Sequence, residues 1–393
     1  MTDQIIVYST VWCPDCKRAK KFLGEHRIPY ENIDIEQDEK AMAFVQEVNN
    51  GMRIIPTILF PDGSTLSEPS NAPLAEKLGM QTKATLEYYD SIVVGGGPSG
   101  LTAAIYMARE GLDVLVIERA GLGGQVGITQ TLDNFPGFHD GISGSEFADR
   151  LVLQARRFGV EIMQAQEVSK LHQNGNYWEV NTSDGQCYCT KAVLLATGAR
   201  YRRLGIPGEE ELIGINVHFC ATCDGAFYKD KKVLVVGGGN SGFEEGLFLT
   251  KFASQVDIVE FLHQVKASQI VQEKVAEQPN MIVTVNHAVK EFRGKDKLEA
   301  VIVEDRATGS IKEWNYDGVF VFIGLLPNSE LAKGIAEVDK YGFIVTDKTL
   351  MTNRPGLFAV GDVRADSTKQ AAAAAGEGAT AALMIREYLK EAG

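Results

Sequence analysis

Three observations predict an α/β protein with more than one domain. Short strands rich in β-branched residues alternate with helices along the chain, a pattern typical of sheets covered by helices. A strand, a glycine-rich loop, a helix and a second strand follow one another twice, at 90–118 and at 232–260. The length of 393 residues corresponds to two to three domains at about 150 residues each. We therefore expect one small N-terminal α/β domain and two larger, related domains.

Composition and charge exclude several classes of protein. Hydrophobic residues make up 45% and charged residues 23% of the chain, which excludes a disordered protein. A formal net charge of −13 disfavours nucleic acid or an anionic membrane as a partner. Six cysteines are too few for a disulfide-stapled scaffold. No signal peptide and no apolar stretch long enough to span a bilayer is visible, so we expect a cytoplasmic protein.

The first 80 residues have the pattern of a self-contained domain. Strands are predicted at 4–9, 28–35, 53–60 and 64–66, and helices at 14–24, 39–49 and 73–78. Cys13 and Cys16 form a C-x-x-C motif where the first helix begins, and a cysteine at a helix N-terminus is the expected nucleophile, here Cys13. Cys16 is then the resolving thiol. Pro56 is predicted to follow a cis bond and to face this pair, and residues 81–87 are predicted to be a flexible linker.

Each of the two glycine-rich loops has the full context of a dinucleotide site. A buried strand precedes it, a helix follows it, and an acidic residue closes the next strand. The glycines provide a tight turn, close approach to the pyrophosphate and close helix packing, while the acidic residue binds the ribose. The first site comprises Gly95, Gly97, Pro98, Ser99, Gly100 and Glu118. The second comprises Gly237, Gly239, Asn240, Ser241, Gly242 and Glu260.

Segments outside the first loop indicate that it binds FAD. The sequence at 356–362 predicts a strand ending in Gly361 and Asp362, which places a carboxylate on the ribityl chain or pyrophosphate. The sequence at 369–378, with Gln370 and Ala371, predicts a helix start whose positive end could stabilise a reduced flavin. High helix propensity alone remains an alternative explanation for its alanine run.

Residues 88–393 resemble the low-molecular-weight thioredoxin reductase family. The resemblance rests on the motifs GGGPSG, GLGGQ, NFPGF, LATGA, CATCDG, GGGNSG and GLFAVGD, in this order. It implies a homodimer, an FAD domain at 88–203 and 323–393, and a nicotinamide domain at 204–322. It adds Gly124, Gln125, Asn134 and Gly198 to the FAD site. It also implies that Cys223 lies nearer the flavin, that Cys220 attacks the next disulfide, and that Asp224 protonates the leaving thiolate.

The nicotinamide site departs from the NADPH-dependent members of that family. Their two arginines after the second β-α-β unit are absent from 260–266, and Glu260 would repel a 2′-phosphate. Segments 259–272 and 318–328 look more like the NADH-dependent flavoprotein subunit of alkyl hydroperoxide reductase. We therefore expect NADH rather than NADPH, with Lys266 as the one nearby cation.

The N-terminal domain resembles glutaredoxins, and most closely their mycoredoxin-like branch. The segments VWCPDCKRAKKFL and FVQEVNNGMRIIPTILFPDGSTLSEPS carry the likeness, which implies a thioredoxin/glutaredoxin fold. Glutathione-using members have a lysine near the start of the active-site motif. Thr10 and Val11 stand there in this chain, which argues against glutathione binding.

The predicted electron path runs from NADH through FAD and Cys220/Cys223 to Cys13/Cys16, and then to an external disulfide such as that of a peroxiredoxin. Three alternatives remain open. The fused domain could be an independent thioltransferase for mixed disulfides of low-molecular-weight thiols, the donor could be ferredoxin or a deazaflavin, or the chain could be a non-catalytic FAD-binding sensor.

The remaining cysteines and one histidine receive no functional role from the sequence. We expect no metal site. Two C-x-x-C pairs that bind zinc are commonly about 15–20 residues apart, whereas 203 residues separate Cys16 from Cys220. Cys187 and Cys189 are expected to be ordinary strand residues on one face. His218, two residues before Cys220, is expected to be a packing histidine.

Overall fold

The computed structural model describes residues 4–10, 12–129, 132 and 134–391, with the side chains of 222 and 223 outside the description. Val11 therefore lies outside the described residues. The contacts divide the chain into two compact units. The first comprises Met1–Gly127, Phe147–Gly198 and Ser329–Gly393, and the second comprises Ile128–Glu146 and Ala199–Asn328. None of the described helices is long and apolar enough to cross a membrane.

The N-terminal domain, within the first unit, is a four-stranded sheet with the order β2-β1-β3-β4. Its strands are β1 (Ile5–Ser9), β2 (Tyr30–Asp34), β3 (Thr57–Leu59) and β4 (Thr65–Ser67). Its helices are α1 (Pro14–Glu25), α2 (Glu39–Val48) and α3 (Asn71–Lys77). Pro14 is well suited to the first turn of α1 because that turn needs no N–H from it. The predicted strand at 53–60 is shorter in the structure, because Pro56 has no N–H to give to a sheet.

The first unit continues with a second sheet, in the order β7-β6-β5-β10-β9-β8. Its strands are β5 (Tyr88–Val94), β6 (Val114–Glu118), β7 (Glu161–Gln164), β8 (Val168–Asn174), β9 (Tyr177–Thr182) and β10 (Cys187–Leu195). The helices of this part of the chain are α4 (Pro98–Arg109), α5 (Gly124–Gly127) and α6 (Gly144–Arg157). The helix predicted after the first glycine loop begins at Pro98 rather than at 101, because proline is already preorganised for the first helical turn.

The second unit contains a five-stranded parallel sheet with the order β12-β19-β13-β14-β15, beside a two-stranded and a three-stranded sheet. Its strands are β11 (Ala199–Tyr201), β12 (Val217–His218), β13 (Lys232–Val236), β14 (Gln255–Val259), β15 (Met281–Thr284), β16 (His287–Arg293), β17 (Ala300–Asp305), β18 (Ser310–Trp314), β19 (Gly318–Val321) and β20 (Leu325–Pro327). Its helices are α7 (Glu209–Leu212), α8 (Ala221–Asp224), α9 (Asn240–Leu249) and α10 (Gln269–Ala276). The order β13-α9-β14 repeats the order β5-α4-β6 of the first unit.

The chain returns to the first unit with β21 (Leu357–Ala359), which pairs in parallel with β10, and with α11 (Ala371–Glu391). The predicted strand at 356–362 is shorter in the structure, because Gly361–Val363 form a 3₁₀ turn. The helix predicted from 369 begins at Ala371. Lys369 precedes it in the left-handed region, with φ of 57°. Its ammonium donates to the carbonyls of Asp362 and Arg364, both at 2.8 Å, which anchors the turn before the helix.

Candidate redox site

The middle glycines of the two loops leave open space at a helix N-terminus. Gly97 precedes α4 and Gly239 precedes α9, and no side chain of the described residues caps either helix. Within the described part of the chain, a Cβ atom added to either glycine would meet no atom within 4 Å. The N–H groups of a helix's first turn lack partners within the helix and attract anions. Each loop can therefore receive a pyrophosphate.

The first and last glycines of each loop allow close packing instead. Gly95 and Gly237 have φ of 112° and 124°, in the region that favours glycine. A Cβ on Gly100 would collide with the carbonyl of Gly95, and one on Gly242 with that of Gly237. The loop and its helix can therefore approach each other only because these side chains are absent.

Two glutamates hold the loops in the same way. The carboxylate of Glu118 accepts from the N–H of Gly96 at 2.6 Å and of Ala120 at 2.7 Å. Glu260, immediately after β14, accepts from the N–H of Gly238 at 2.5 Å and of Leu262 at 2.8 Å. Both carboxylates are thus fixed beside the glycine loop, at the edge where a ribose would bind.

The late segment predicted to bind FAD lies against the first loop. A Cβ on Gly361 would come within 2.8 Å of the hydroxyl oxygen of Ser99, and one on Gly378 would collide with the Ser99 carbonyl. The N–H of Gly361 donates to Glu377 at 2.7 Å. Burial raises the pKa of the Asp362 carboxyl. The turn after β21 and helix α11 therefore meet the start of α4.

The predicted FAD residues divide between the two units. Thirteen lie in the first unit: Gly95, Gly97, Pro98, Ser99, Gly100, Glu118, Gly124, Gln125, Gly198, Gly361, Asp362, Gln370 and Ala371. Asn134 lies in the second unit. The open cradle at Gly97, the uncapped helix and the anchored Glu118 fit the phosphates and ribose of FAD.

The predicted nicotinamide residues all lie in the second unit, around the start of α9. The side-chain oxygen of Asn240 accepts from the N–H of Ser268 at 2.6 Å, which ties the loop to the segment before α10. The sequence named Lys266 as the one nearby cation; its backbone N–H donates to the Gly238 carbonyl at 2.8 Å, and the structure adds a second cation beside Phe261, the residue after Glu260. The guanidinium carbon of Arg306 lies 3.7 Å from the centre of the Phe261 ring, and its NH1 donates to the Phe261 carbonyl at 2.6 Å. Sequence reasoning missed Arg306 because it follows β17, far along the chain from Glu260.

The internal C-x-x-C motif spans the start of α8. Cys220 is disulfide-bonded, and the side chain of Cys223 lies outside the described residues. Asp224, the predicted acid, donates its backbone N–H to the Cys220 carbonyl at 3.2 Å. Its carboxylate lies 3.3 Å from Nδ1 of His218. The expectation that His218 only fills space is therefore incomplete, because its ring contacts the predicted acid.

The N-terminal C-x-x-C motif has the geometry of a nucleophile and its resolving partner. Cys13 caps α1, and its sulfur accepts from the N–H of Cys16 at 3.1 Å. Burial raises the pKa of the Cys16 thiol, and the hydrogen bond with Cys13 adds to this shift. Cys16 therefore stays a thiol at neutral pH. The predicted cis bond is present between Ile55 and Pro56, and the Cys13 sulfur lies 3.8 Å from the Ile55 carbonyl oxygen.

The N-terminal domain packs, through the far end of α1, against the loop after β6 and against helix α6. Arg27 donates to the Leu122 carbonyl at 3.1 Å and to Asp149 at 3.0 Å. A Cβ on Gly121 would collide with the Glu25 carbonyl. Cys13 caps the opposite end of this 12-residue helix, about 18 Å away at 1.5 Å per residue.

The connection between these domains is bonded along its length, contrary to the predicted flexible linker. The N–H and hydroxyl of Thr85 each donate to Glu161, both at 2.7 Å. The carbonyl of Gln81 accepts from the N–H of Gln164 at 2.8 Å. Polar composition predicted a free tether, but these side chains and carbonyls bind to β7.

Cys187 and Cys189 lie two residues apart in β10, so their side chains share one face of the strand. Both thiols are free. Burial raises the pKa of Cys187, and the neighbouring Cys189 adds to this effect. Among the described residues, no three His, Cys, Asp or Glu side chains come together as metal ligands.

Comparisons with known proteins agree with both parts of the chain. Residues 89–378 match the family model "Pyridine nucleotide-disulphide oxidoreductase", and residues 5–64 match "Glutaredoxin". The thioredoxin reductase of Listeria innocua is 39% identical over 77% of this chain and 94% of its own length. That of Bacillus subtilis is 38% identical over 77% of this chain and 95% of its own. The crystal structure of thioredoxin reductase from Streptococcus pyogenes covers 78% of this chain and 99% of its own, with 39% identity and a TM-score of 0.74.

The matched segments fix the chemistry at the level of the family. The chain is an FAD-dependent NAD(P)H:disulfide oxidoreductase of the thioredoxin reductase type, and its partner contains a disulfide. The chain belongs to the pyridine nucleotide-disulphide oxidoreductase family and carries a glutaredoxin domain fused at its N-terminus.

Proposed function

We propose that the enzyme uses NADH to reduce the Cys220/Cys223 disulfide, that this pair reduces Cys13/Cys16, and that Cys13 then attacks an external protein disulfide. Bound FAD would supply the two-electron step between nicotinamide and disulfide. Thiol–disulfide exchange carries two electrons at each later step, with a thiolate attacking one sulfur and the other sulfur leaving. The observation that carries the proposal is a Cys13 nucleophile fused to a reductase with its own disulfide.

The surroundings of Cys13 support an external protein as the acceptor. Trp12, next to Cys13 in the chain, is 59% exposed, and Met52, in the segment that leads to the cis-proline, is 56% exposed. Exposed large apolar side chains beside a reactive thiol are typical of a protein-binding surface. Arg53 already pairs with Glu36 at 2.8 Å. This cation already has a carboxylate partner, with which the carboxylate of a small thiol would have to compete.

The attachment of the glutaredoxin domain supports its role as the terminal carrier. The contacts of Arg27 and Gly121 lie at the end of α1 opposite to Cys13. They hold the domain against the loop after β6 and leave Trp12, next to the nucleophile, exposed. Because both carriers belong to one chain, the proposed transfer between them needs no encounter with a separate molecule.

The anchored carboxylate of Glu260 supports NADH as the donor. Two backbone N–H groups hold it in place, so it cannot swing away from a ligand at the loop. A fixed carboxylate can accept from a free 2′-hydroxyl and repels a 2′-phosphate. We also propose a homodimer and a peroxiredoxin as the acceptor, with light scattering as the test of the first.

Steady-state assays with two acceptors test the relay. A small aromatic disulfide can reach Cys220 directly, whereas an oxidised peroxiredoxin requires Cys13 under this proposal. We expect Cys13→Ser to keep activity on the small disulfide and to lose peroxiredoxin reduction at least tenfold. Cys220→Ser should lose both activities, and Cys187→Ser is the matched control that should lose neither. Full peroxiredoxin reduction by Cys13→Ser would show that the relay is wrong.

A further inference from the structure

Both ring nitrogens of the buried His218 have polar partners. The side chain is 6% exposed and lies at the end of β12. Its Nδ1 lies 3.3 Å from Oδ2 of Asp224. Its Nε2 lies 2.7 Å from the hydroxyl oxygen of Tyr228. His218 therefore links the predicted acid to a second buried polar side chain.

Packing alone does not account for this arrangement. The His218 ring lies 5.3 Å from the centre of the Tyr228 ring and 5.2 Å from that of Phe320. A phenylalanine ring could fill the same aromatic space. A buried imidazole, however, needs hydrogen-bond partners for its nitrogens, and each has one here.

The partners also decide which nitrogen carries the proton. Burial raises the pKa of Tyr228 to about 12, so its hydroxyl keeps its proton at neutral pH. Asn216 donates to that hydroxyl oxygen at 3.3 Å, and the hydroxyl can donate either to Nε2 of His218 at 2.7 Å or to the Ile215 carbonyl at 3.5 Å. The shorter distance favours donation to Nε2. With Nε2 as the acceptor, the ring proton lies on Nδ1, where it faces Asp224.

We propose that His218 is a positioning residue for Asp224, holding its Oδ2 and stabilising the carboxylate that forms when Asp224 gives up its proton. This inference rests on the proposed function, in which Asp224 protonates the leaving thiolate. The nicotinamide supplies two electrons and releases one proton to solvent, and the two electrons convert the S–S bond of the Cys220 disulfide into two thiolates. One thiolate takes the proton of Asp224 and becomes a thiol, the other stays a thiolate, and Asp224 becomes a carboxylate. The hydrogen bond from Nδ1 then compensates for the burial of that charge.

Other charged groups face the His218, Asp224 and Tyr228 side chains, and they are the same in every variant compared below. Lys231 lies over the Tyr228 ring at 5.5 Å, and the negative charge of Asp317 acts on Tyr228. Glu245 of α9 accepts from the backbone of Ala221 in α8. A pH-dependent change in labelling rate that comes from Asp224 will therefore be absent from the Asp224→Asn variant.

The first test needs no nicotinamide. The full-length protein is reduced with dithiothreitol, the reagent is removed, and iodoacetamide labelling of tryptic peptide 204–229 is followed across pH. We expect a step in the rate that Asp224→Asn abolishes and that His218→Phe moves upward by about one pH unit, because a carboxylate without its donor holds its proton more tightly. His218→Asn is the matched control, since its amide N–H occupies a position close to that of Nδ1. It should leave the step near its wild-type pH.

A double-mutant cycle on disulfide reduction separates positioning from a structural effect. We expect His218→Phe to lower kcat at least tenfold in the wild-type background, within the usual contribution of a general acid. The same change in the Asp224→Asn background should cost less than about threefold, because the residue through which His218 acts is already lost. Equal losses in both backgrounds, or an alkylation step that His218→Phe leaves in place, would overturn the proposal.

Two further measurements keep the outcome unambiguous. If His218→Phe does not fold, Tyr228→Phe replaces it, because this variant keeps the ring and removes the donor to Nε2. It should move the alkylation step in the same direction by a smaller amount, and no movement would overturn the inference. Failure of the proposed function would appear separately, as full peroxiredoxin reduction by Cys13→Ser. The alkylation profile does not depend on that relay.

Discussion

Replacement of Glu260 by glutamine tests the origin of donor preference. The carboxylate is fixed by the N–H groups of Gly238 and Leu262 at 2.5 and 2.8 Å, so its charge stays beside the loop. Two unit charges about 4 Å apart interact by about 1 kcal/mol in water and more in a less polar setting. A 2′-phosphate carries a charge of about −1.5 to −2 at pH 7 by analogy with other phosphate monoesters, so the penalty against NADPH is about 2 kcal/mol. This corresponds to about 30-fold in kcat/KM.

The assay compares kcat/KM for NADH and NADPH in wild type and Glu260→Gln. Glutamine keeps the size of the side chain but can accept from only one of the two N–H groups. The loop is loosened equally for both nicotinamides, so the ratio of their kcat/KM values reports only the effect of the lost charge. We expect the NADH preference to fall about 30-fold, and to weaken in wild type as salt is raised. Glu313→Gln, on β18, is the matched control. An unchanged ratio of the kcat/KM values for NADH and NADPH in Glu260→Gln would refute the electrostatic explanation. A wild-type preference for NADPH would contradict it too, and would point to Arg306 as a cation that binds the 2′-phosphate.

Three further predictions follow from the geometry. Gly97→Val fills the cradle before α4 and should lower the FAD content per chain, measured by absorbance. The matched Gly239→Val should keep FAD and raise KM for the nicotinamide. The reverse pattern would show that FAD binds at the second loop and the nicotinamide at the first. Arg364 and Glu377 pair at 2.6 Å with both side chains 15% exposed, so Arg364→Met should cost about 3 kcal/mol and lower Tm by several degrees. Glu377→Gln should restore part of this loss, and no change in Tm would show that the pair is not stabilising. Because burial raises the pKa of Cys16, iodoacetamide should label Cys13 before Cys16 in tryptic peptide 1–17 from pH 6 to pH 9; equal labelling at pH 7 would contradict this assignment.

The sequence predicted those parts of the site that lie in contiguous motifs. Each dinucleotide loop carries its strand, its glycines, its helix and its acidic residue within 30 residues, so local pattern specified the geometry of Glu118 and Glu260. The Cys13 cap followed from a proline and a C-x-x-C motif at a helix start. These features depend on residues that are close in sequence, so a local sequence pattern is enough to predict them.

The features that escaped prediction depend on side-chain orientation or on distant residues. Arg306 reaches Phe261 only because β17 and β14 belong to the same folded unit. The attachment of the glutaredoxin domain needs Arg27 to meet Asp149, and composition alone suggested a free tether instead. His218 is close to Asp224 in sequence, yet only the fold directs its Nδ1 toward the carboxylate.

The transfer of electrons from Cys220/Cys223 to Cys13/Cys16 is the central claim, and mass spectrometry of one peptide tests it. The protein is first oxidised with diamide under anaerobic conditions, then given NADH without any acceptor and quenched with iodoacetamide. In wild type, tryptic peptide 1–17 should gain two alkyl groups at Cys13 and Cys16, whereas in Cys220→Ser it should remain oxidised. If NADH reduces peptide 1–17 equally fast in Cys220→Ser, or fails to reduce it in wild type, the internal relay does not exist.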